Sequence, residues 1–239
     1  MSKKKPYFDK DGNKIPATTQ ILKNLGWNTD ALIGWARKLA LQGIDPYKQR
    51  DSAADAGTLT HKYIEMWIKE TLGHEELEQT KKELEELKSK AEFDWIIIAE
   101  RGLQEFQTWC DINKFSLKET ETKLVDEDNK YGLTIDCIAK DKNNQLGIID
   151  FKTSKYVTAE HIIQLAAYFK GYSKLKEPLM WAKIVHIQKD LTKEVEQVIA
   201  PYDIPINKIN TGWEVFIRLR QIHDARKVLE EGFDLYKKK

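Results

Sequence analysis

The sequence predicts an α/β fold in which a mixed central β-sheet is flanked by helices and preceded by a helical N-terminal region. Apolar residues recur at helical spacing as far as residue 109. From residue 117 to residue 154 they alternate with polar residues, which is the spacing of strands. A largely apolar helix over 158–176 follows. The resulting order of helix, three strands, helix, two strands and helix is typical of a mixed sheet sandwiched between helices.

Start and stop signals set the helices of the N-terminal part. Gly43 and Pro46 end the second helix, and Gly73 ends the third. Ser52 with Asp55 three residues later forms a capping-box pattern, so we expect the third helix to begin there. The predicted helices of this part span 18–27, 30–43, 52–73 and 93–109.

The segment from residue 74 to residue 90 is rich in Glu, Lys and Leu. Leu77, Leu84 and Leu87 lie on one helical stripe, but the heptads stop too soon for a coiled-coil dimer. We therefore expect either a solvated arm or a helical hairpin.

The second half of the chain carries the strands and a closing helix. The predicted strands span 117–128, 131–141, 145–154, 179–190 and 194–202, and a helix over 213–236 closes the chain. No repeat and no Gly/Ser-rich or Pro-rich linker divides the sequence, which predicts a single domain over 1–239. We expect a helical front over 1–50, a core of order αβββαβ over 51–200 and a C-terminal helix within 205–236.

Composition excludes several classes of protein. The chain has 239 residues, 41% of them hydrophobic and 32% charged, and no apolar run of membrane-spanning length. With a net charge of +1, the protein as a whole does not attract a polyanionic partner electrostatically. Two cysteines exclude a disulfide framework, a four-cysteine zinc site and a cysteine-ligated iron–sulfur cluster within this chain. The N-terminus lacks the apolar stretch of a secretory signal, so we expect a cytoplasmic protein without membrane contact.

Charged residues lie inside the hairpin over 132–154, where apolar ones would be expected. In a strand, Asp150 and Lys152 share one face, while Ile149 takes the other. Asp136 lies opposite Asp150 only if the loop has three residues, 142–144, with its last residue, an asparagine, in the left-handed conformation. A loop of two or four residues would separate the carboxylates.

Two carboxylates held together in a poorly hydrated place repel each other unless a cation shares their charge. Hard carboxylate oxygens suit Mg²⁺ or Mn²⁺, which bind phosphodiesters at such sites. Lys152 would then orient water or stabilise developing negative charge. The alternative is that Asp150 and Lys152 form a buried ion pair that only fixes the structure.

Two pairs of polar residues spaced four apart add to the pattern. His61 and Glu65 share a helix face just after Gly57, and Gln164 and Tyr168 share a face of the largely apolar helix. Each pair alone is also consistent with ordinary packing.

Taken together, these residues resemble the PD-(D/E)XK nuclease superfamily, specifically its RecB-like branch found in phage-encoded exonucleases and CRISPR adaptation nucleases. The resemblance covers residues from about 15 to 172. The matching positions are Gly57 to His61 in "GTLTH", Glu121 in "ETETKLV", Asp136 at the end of "GLTID", "DFK" at 150–152 and Gln164 to Tyr168 in "QLAAY". The chain lacks the cysteines of the iron–sulfur branch and a phosphate-binding loop of a helicase motor.

The resemblance implies a restriction-endonuclease-like fold with a divalent-metal site. It implies that the side chains of His61, Asp136 and Asp150 and the backbone carbonyl of Phe151 ligate Mg²⁺ or Mn²⁺. Lys152 would position the attacking water.

Further residues take their implied roles from the same resemblance. Glu121 matches an additional acidic position that supports catalysis, with Glu119 as the alternative because both lie on one face of a regular strand. Gln164 and Tyr168 match the motif that organises the site and contacts the substrate strand. Lys155 is a candidate phosphate contact beside it.

The activity that the resemblance implies is metal-dependent hydrolysis of DNA, most simply by an exonuclease acting in phage or mobile-element recombination. A structure-selective endonuclease and a catalytically inactive DNA-binding module remain as alternatives. The expected partners are DNA, a recombinase or single-strand-annealing protein, and further copies of the same chain.

Overall fold

The computed structural model describes residues 6–27, 29–188 and 198–231. Within these residues the helices are α1 (Thr18–Leu22), α2 (Thr29–Leu41), α3 (Pro46–Leu72), α4 (Leu77–Lys88), α5 (Phe93–Asn113), α6 (Ala159–Leu175) and α7 (Ile206–Glu230). The strands are β1 (Tyr7–Phe8), β2 (Lys14–Ile15), β3 (Ser116–Asp126), β4 (Tyr131–Lys140), β5 (Leu146–Lys152), β6 (Trp181–Ile187) and β7 (Ile199–Asp203). No helix of this described part is long and apolar enough to cross a membrane.

Five strands form the central sheet, in the order β3-β4-β5-β6-β7. Neighbouring strands run antiparallel except β5 and β6, which run parallel. A parallel pair of strands needs a long crossover connection. Helix α6 provides this connection between β5 and β6. The predicted fold class, a mixed central sheet flanked by helices, is therefore confirmed.

Helices cover both faces of the sheet. On one face, Leu133 and Ile148 pack into a core shared with α1, α6 and α7. On the other face, Ile149 and Phe151 pack against α3 and α5, and the ring of Phe151 meets that of Phe106 edge to face at 4.9 Å. Successive residues of β5 therefore face the two cores in turn. The side chain of Asp150, which lies between Ile149 and Phe151, consequently faces α6.

Both cysteines are buried thiols. Cys110 lies on α5 and Cys137 on β4. Burial raises the pKa of Cys110 to about 12, and it raises the pKa of Cys137 as well. Neither thiol is therefore a ready nucleophile.

Helix α3 begins earlier than the capping-box pattern predicted. It starts at Pro46 rather than at Ser52, because Asp45 caps it instead. The Asp45 carboxylate accepts hydrogen bonds from the backbone N–H groups of Tyr47 at 2.8 Å and Lys48 at 3.4 Å. Proline at the first helical position costs no hydrogen bond. Pro46, which was expected to end the preceding helix, is therefore the first residue of α3. The predicted end at Gly73, with φ of 62°, is confirmed.

Other element boundaries differ in smaller ways. Helix α1 ends at Leu22, well before residue 27, since the Asn24 side chain donates to the backbone carbonyl of Ile21 at 2.8 Å and closes the helix. Helix α7 begins at Ile206, before the predicted residue 213. The last residues of the predicted strand 179–190, the first of 194–202 and the last of the helix 213–236 lie outside the described residues.

The N-terminal front is not purely helical, because β1 and β2 form a small hairpin ahead of α1. The ring of Tyr7 on β1 lies against Gly132 of β4, where an added Cβ atom would be 2.0 Å from the ring. The Tyr7 hydroxyl forms a short hydrogen bond with the Thr134 hydroxyl. Glycine at position 132 therefore allows the N-terminal hairpin to dock on the sheet.

The Glu/Lys-rich segment forms α4, which packs against α3 as a helical hairpin. Thr80 and Leu84 of α4 are buried in this contact. Lys69 of α3 binds the carboxylates of Glu65 and Glu76, both at 2.9 Å. Of the two expectations for this segment, the helical hairpin is the one confirmed.

Candidate active site

The β4–β5 hairpin has the register that the sequence analysis required. Cys137 pairs with Ile149, and the loop between the strands includes Asn144 in the left-handed conformation, with φ of 61°. The prediction of a three-residue loop is confirmed. Asp136 and Asp150 are consequently the next opposed pair beyond the last paired residues, so the sheet brings the two carboxylates to the same end of the hairpin.

The two strands stop pairing at this point, and the side chain of Asp136 enters the gap. Its carboxylate oxygen Oδ2 accepts a hydrogen bond from the backbone N–H of Phe151 at 2.9 Å. A carboxylate thus replaces the backbone acceptor that a continued ladder would supply. The bond fixes Asp136 against the strand that carries Asp150.

Asp150 and Lys152 form a buried ion pair. The side chain of Asp150 is only 1% exposed, and the Lys152 Nζ atom lies 2.5 Å from Asp150 Oδ2. A carboxylate removed from water at this depth requires a compensating positive charge. Both side chains leave β5 on the face that α6 covers, as their spacing predicted.

His61 approaches the pair of aspartates from α3. Its Nδ1 atom lies 3.9 Å from Asp136 Oδ2, and its ring packs edge to face on Phe151 with 5.8 Å between centroids. The imidazole remains about a third exposed, which leaves it open to the adjoining cavity. His61 is therefore held beside Asp136 by the aromatic core beneath it.

Glu65, one turn after His61, does not join this site. Its two carboxylate oxygens bind Lys62 at 2.6 Å and Lys69 at 2.9 Å. Two lysines of the same helix neutralise this buried acid, and they also contact acids beyond α3: Lys62 contacts Glu83 of α4 and Lys69 contacts Glu76, each at 2.9 Å.

Gln164 and Tyr168, which share a face of α6 as their spacing predicted, form a hydrogen bond with each other. The Gln164 side-chain amide donates to the Tyr168 hydroxyl at 2.7 Å. The pKa of Tyr168 is raised well above its usual value, first by burial and then by the negative charges of Asp150 and Asp136. Tyr168 is therefore a neutral hydroxyl beside both aspartates.

A cavity of about 320 Å³ opens next to these residues. Its wall is formed by α1, α3, the end of β5 and the first turns of α6. The polar residues that line it include His61, Lys152, Ser154, Glu160, His161 and Gln164. The cavity thus connects the lysine of the ion pair with the histidine from α3.

Comparison with known protein families identifies the chain. The model of the PD-(D/E)XK nuclease superfamily matches residues 35–228. The chain belongs to the PD-(D/E)XK nuclease superfamily. Members of this superfamily are hydrolytic nucleases that generally use divalent metal ions. Membership also implies that the substrate is DNA.

Other comparisons add little to the superfamily match. The crystal structure of SSO0001 is 17% identical over 73% of this chain and 76% of that chain, with a TM-score of 0.34. This value is too low to establish a common fold. No curated protein matches the chain.

The acidic position of the PD-(D/E)XK nuclease pattern falls on an irregular part of β3. The pairing of β3 with β4 shifts between Leu117 and Glu119, and Glu121 has a left-handed backbone with φ of 49°. This shift lies before both acids, so the feature that departs from the regular strand assumed for a shared face of Glu119 and Glu121 is the left-handed backbone at Glu121.

The two acids have different partners. Glu119 accepts hydrogen bonds from the hydroxyls of Tyr172 at 2.8 Å and Thr122 at 2.9 Å. The charge of Glu121 instead acts on Tyr7 of β1, whose pKa is raised mainly by burial. The left-handed backbone thus falls at Glu121, the residue that matches the acidic position, and not at the alternative, Glu119.

Lys155 lies apart from the cavity wall. It is exposed in the loop after β5, with its Nζ atom 5.3 Å from the centre of the Tyr156 ring. Its neighbour in the chain, Ser154, lines the cavity, whereas Lys155 does not.

His161 is a cavity residue that the sequence analysis missed. It lies in the first turn of α6, and its Nδ1 atom accepts a hydrogen bond from the backbone N–H of Thr158 at 3.1 Å. Its pKa is lowered to about 4 by burial and then by the charges of Lys152 and His186. The signal in the sequence was its spacing of three and seven residues before Gln164 and Tyr168, which places all three on one stripe of the helix.

The donor types at this site fit a divalent cation. Asp136 and Asp150 offer carboxylate oxygens and His61 an imidazole nitrogen, the ligand classes that hard and borderline cations take. Asp150 already has a cation, the Lys152 ammonium, against its carboxylate. As the side chains stand, no three His, Cys, Asp or Glu residues in the described ranges are close enough together to enclose a metal ion.

Proposed function

We propose that this protein is a Mg²⁺- or Mn²⁺-dependent exonuclease of the RecB-like branch, which hydrolyses phosphodiester bonds of linear DNA. One observation carries the proposal: Asp136 and Asp150 converge where β4 and β5 separate, with His61 beside one carboxylate and Lys152 bound to the other. This arrangement combines acidic ligands with a cation in a place open to a cavity.

The chain would hold the metal ion through residues of three elements. The ligands proposed are the side chains of His61, Asp136 and Asp150 and the backbone carbonyl of Phe151. When bound, a divalent cation neutralises charge on the phosphate and favours deprotonation of a nearby water. The hydrogen bond from Phe151 N–H keeps one oxygen of Asp136 oriented, which leaves the other oxygen for ligation.

In this proposal Lys152 donates hydrogen bonds and stabilises developing negative charge. Its ammonium lies at the cavity wall, where it can orient the attacking water and donate a hydrogen bond to the phosphate as negative charge develops. Asp150 holds the ammonium in place through the ion pair. Glu121 would support the acidic side of the site from its left-handed position in β3.

The substrate strand would lie along the first turns of α6. Gln164 and Tyr168 form the wall beside the aspartates, and Gln164 also lines the cavity. Lys155, exposed in the loop after β5, would contact a phosphate farther along the strand. A neutral Tyr168 hydroxyl adds no charge that would repel DNA.

The biological setting follows from the resemblance of the motif residues to phage-encoded exonucleases. We propose that residues 1–239 act as one nuclease domain in phage or mobile-element recombination, in the cytoplasm where the DNA is. A recombinase or single-strand-annealing protein would receive the product strand, and further copies of the chain would assemble with it.

The test is digestion of end-labelled linear DNA and of a closed circle, each in single- and double-stranded form, with Mn²⁺ or Mg²⁺. Asp150→Asn should abolish cleavage. Asp111→Asn, the same change at an exposed site on α5, should cleave as the wild type does. Loss of linear DNA from its ends with survival of the circle supports the exonuclease.

Other outcomes of this test select the alternatives. Nicked or linearised circles would replace the exonuclease by a structure-selective endonuclease. Binding of DNA without any cleavage by the wild type would replace both by an inactive binding module. Equal cleavage by Asp150→Asn and wild type would refute the proposed site.

A further inference from the structure

We infer that His161 binds a phosphate oxygen of the DNA strand through its Nε2–H group, beside Lys152. This inference rests on the proposed function, because it names a substrate contact within the same cavity. Neither the motif residues nor the superfamily match assigns a role to this position.

The position of His161 places it among the residues that would meet the substrate. It lines the cavity together with Lys152, Gln164 and His61. It lies three residues before Gln164 on α6, so its side chain lies on the same stripe of the helix. A strand that reaches Gln164 and Tyr168 therefore passes His161.

The hydrogen bond to Thr158 fixes which ring nitrogen carries the proton. Because the Thr158 N–H donates to Nδ1, that nitrogen must present its lone pair. A neutral imidazole with Nδ1 as acceptor carries its hydrogen on Nε2. The low pKa of His161, about 4, keeps the ring neutral at physiological pH. His161 therefore offers one N–H donor of fixed orientation.

A neutral donor suits this wall of the cavity. A second cation next to the Lys152 ammonium would be repelled by it, whereas a neutral N–H can donate to the same phosphate group without that cost. Glu160 adds a carboxylate to the wall, which would repel a phosphate, so hydrogen-bond donors must hold the strand there. His161 and Lys152 are donors at the cavity wall that can do so.

His161 could instead serve only as a helix cap, and the chain allows the two roles to be separated. In a capping box, the third helical residue is usually Glu or Gln and accepts from the N-cap backbone N–H, as His161 does. His161→Glu keeps this acceptor and adds an acid at a helix N-terminus, where it is favourable. It removes the donor and repels phosphate. His161→Gln keeps both the acceptor and a neutral N–H donor.

The experiment compares wild type, His161→Glu and His161→Gln by thermal unfolding and by anisotropy of a fluorescein-labelled DNA oligonucleotide in EDTA. We expect all three to unfold at similar temperatures. His161→Glu should weaken DNA binding by about 10- to 100-fold, the range for a hydrogen bond to a charged group. His161→Gln should stay within about threefold of wild type. Binding by His161→Glu equal to wild type would overturn the inference and leave the cap as the only role.

A second measurement uses wild-type protein alone and so does not depend on the folding of a variant. The Nε2–H proton signal of His161 should shift when the dinucleotide pTpT is added in EDTA. An unchanged signal at saturation would overturn the inference. Failure of the wild type to bind or cut DNA would refute the proposed function itself, whereas normal cutting with unaltered binding by His161→Glu would refute only the role of His161.

Discussion

The backbone N–H of Phe151 donates to the carboxylate of Asp136 at 2.9 Å, at the point where β4 and β5 cease to pair. The Asp136 side chain thus supplies the hydrogen-bond acceptor that β5 lacks at Phe151. It also places a negative charge where β4 and β5 separate. The two roles of Asp136 can be distinguished, because an amide can replace the acceptor but not the negative charge.

We predict that Asp136→Asn retains stability and loses metal binding, while Asp136→Ala loses both. Asparagine keeps an oxygen for the Phe151 N–H, whereas alanine leaves that donor without its acceptor and costs about 1–3 kcal/mol in the free energy of unfolding. Urea denaturation measures the first effect and calorimetric titration with Mn²⁺ the second. Equal stability of the two variants would show that the hydrogen bond contributes nothing measurable.

The ion pair of Asp150 and Lys152 predicts a stability that depends on added metal. Lys152→Ala leaves a carboxylate that is 1% exposed without its cation, which should cost about 3–5 kcal/mol in the absence of metal. Saturating Mn²⁺ should restore much of this loss, because a cation would again neutralise Asp150.

Cleavage by Lys152→Ala should nevertheless remain lower by about two to three powers of ten with Mn²⁺ present, since the metal does not replace the donor that stabilises the phosphate. The double variant Asp150→Ala and Lys152→Ala is the control, and its stability should not respond to Mn²⁺. A single variant whose unfolding ignores Mn²⁺ would contradict a metal at Asp150.

Part of this site was predictable because local chemistry determines it. The three-residue loop ending in Asn144 fixes the hairpin register, and the register brings Asp136 opposite Asp150. The spacing of Gln164 and Tyr168 likewise requires only a regular helix. These predictions needed no knowledge of distant contacts.

The rest depended on features that alternation and helical spacing do not encode. The register shift before Glu119 and the left-handed backbone at Glu121 interrupt the regular strand on which the expectation for these two acids was based. Tyr7 reaches the sheet through strands of two residues, too short to show a period. The N-cap at Asp45 lay beside a proline that was interpreted as a helix stop rather than a start.

The contact of Tyr7 with Gly132 predicts how the N-terminal hairpin is held. Gly132→Ala would place a Cβ atom 2.0 Å from the Tyr7 ring, so the hairpin must shift. We expect a loss of about 1–3 kcal/mol in the free energy of unfolding, as for overpacked sites. Tyr7→Ala removes the clash, so Gly132→Ala should cost much less in that background. Additive losses in the double variant, measured by urea denaturation, would contradict direct contact.

The lowered pKa of His161 predicts a loss of stability in mild acid. In the folded protein this imidazole takes up a proton only near pH 4, whereas in the unfolded chain it does so near its ordinary value of 6.5. Between these values the unfolded chain binds more protons, so the free energy of unfolding falls as the pH falls from 6.5 toward 4. Burial and the charges of Lys152 and His186 lower the pKa of His161, and His61 and Glu160 are the other titratable residues that line the cavity.

His161→Gln removes this titration while it keeps the cap, so its urea midpoint should fall less than that of wild type between pH 7 and pH 4.5. Parallel curves for wild type and His161→Gln would mean that His161 takes up its proton equally in the folded and unfolded chain. In that event the imidazole would be charged beside Lys152 in mild acid, and burial in the cavity would be too shallow to keep it neutral.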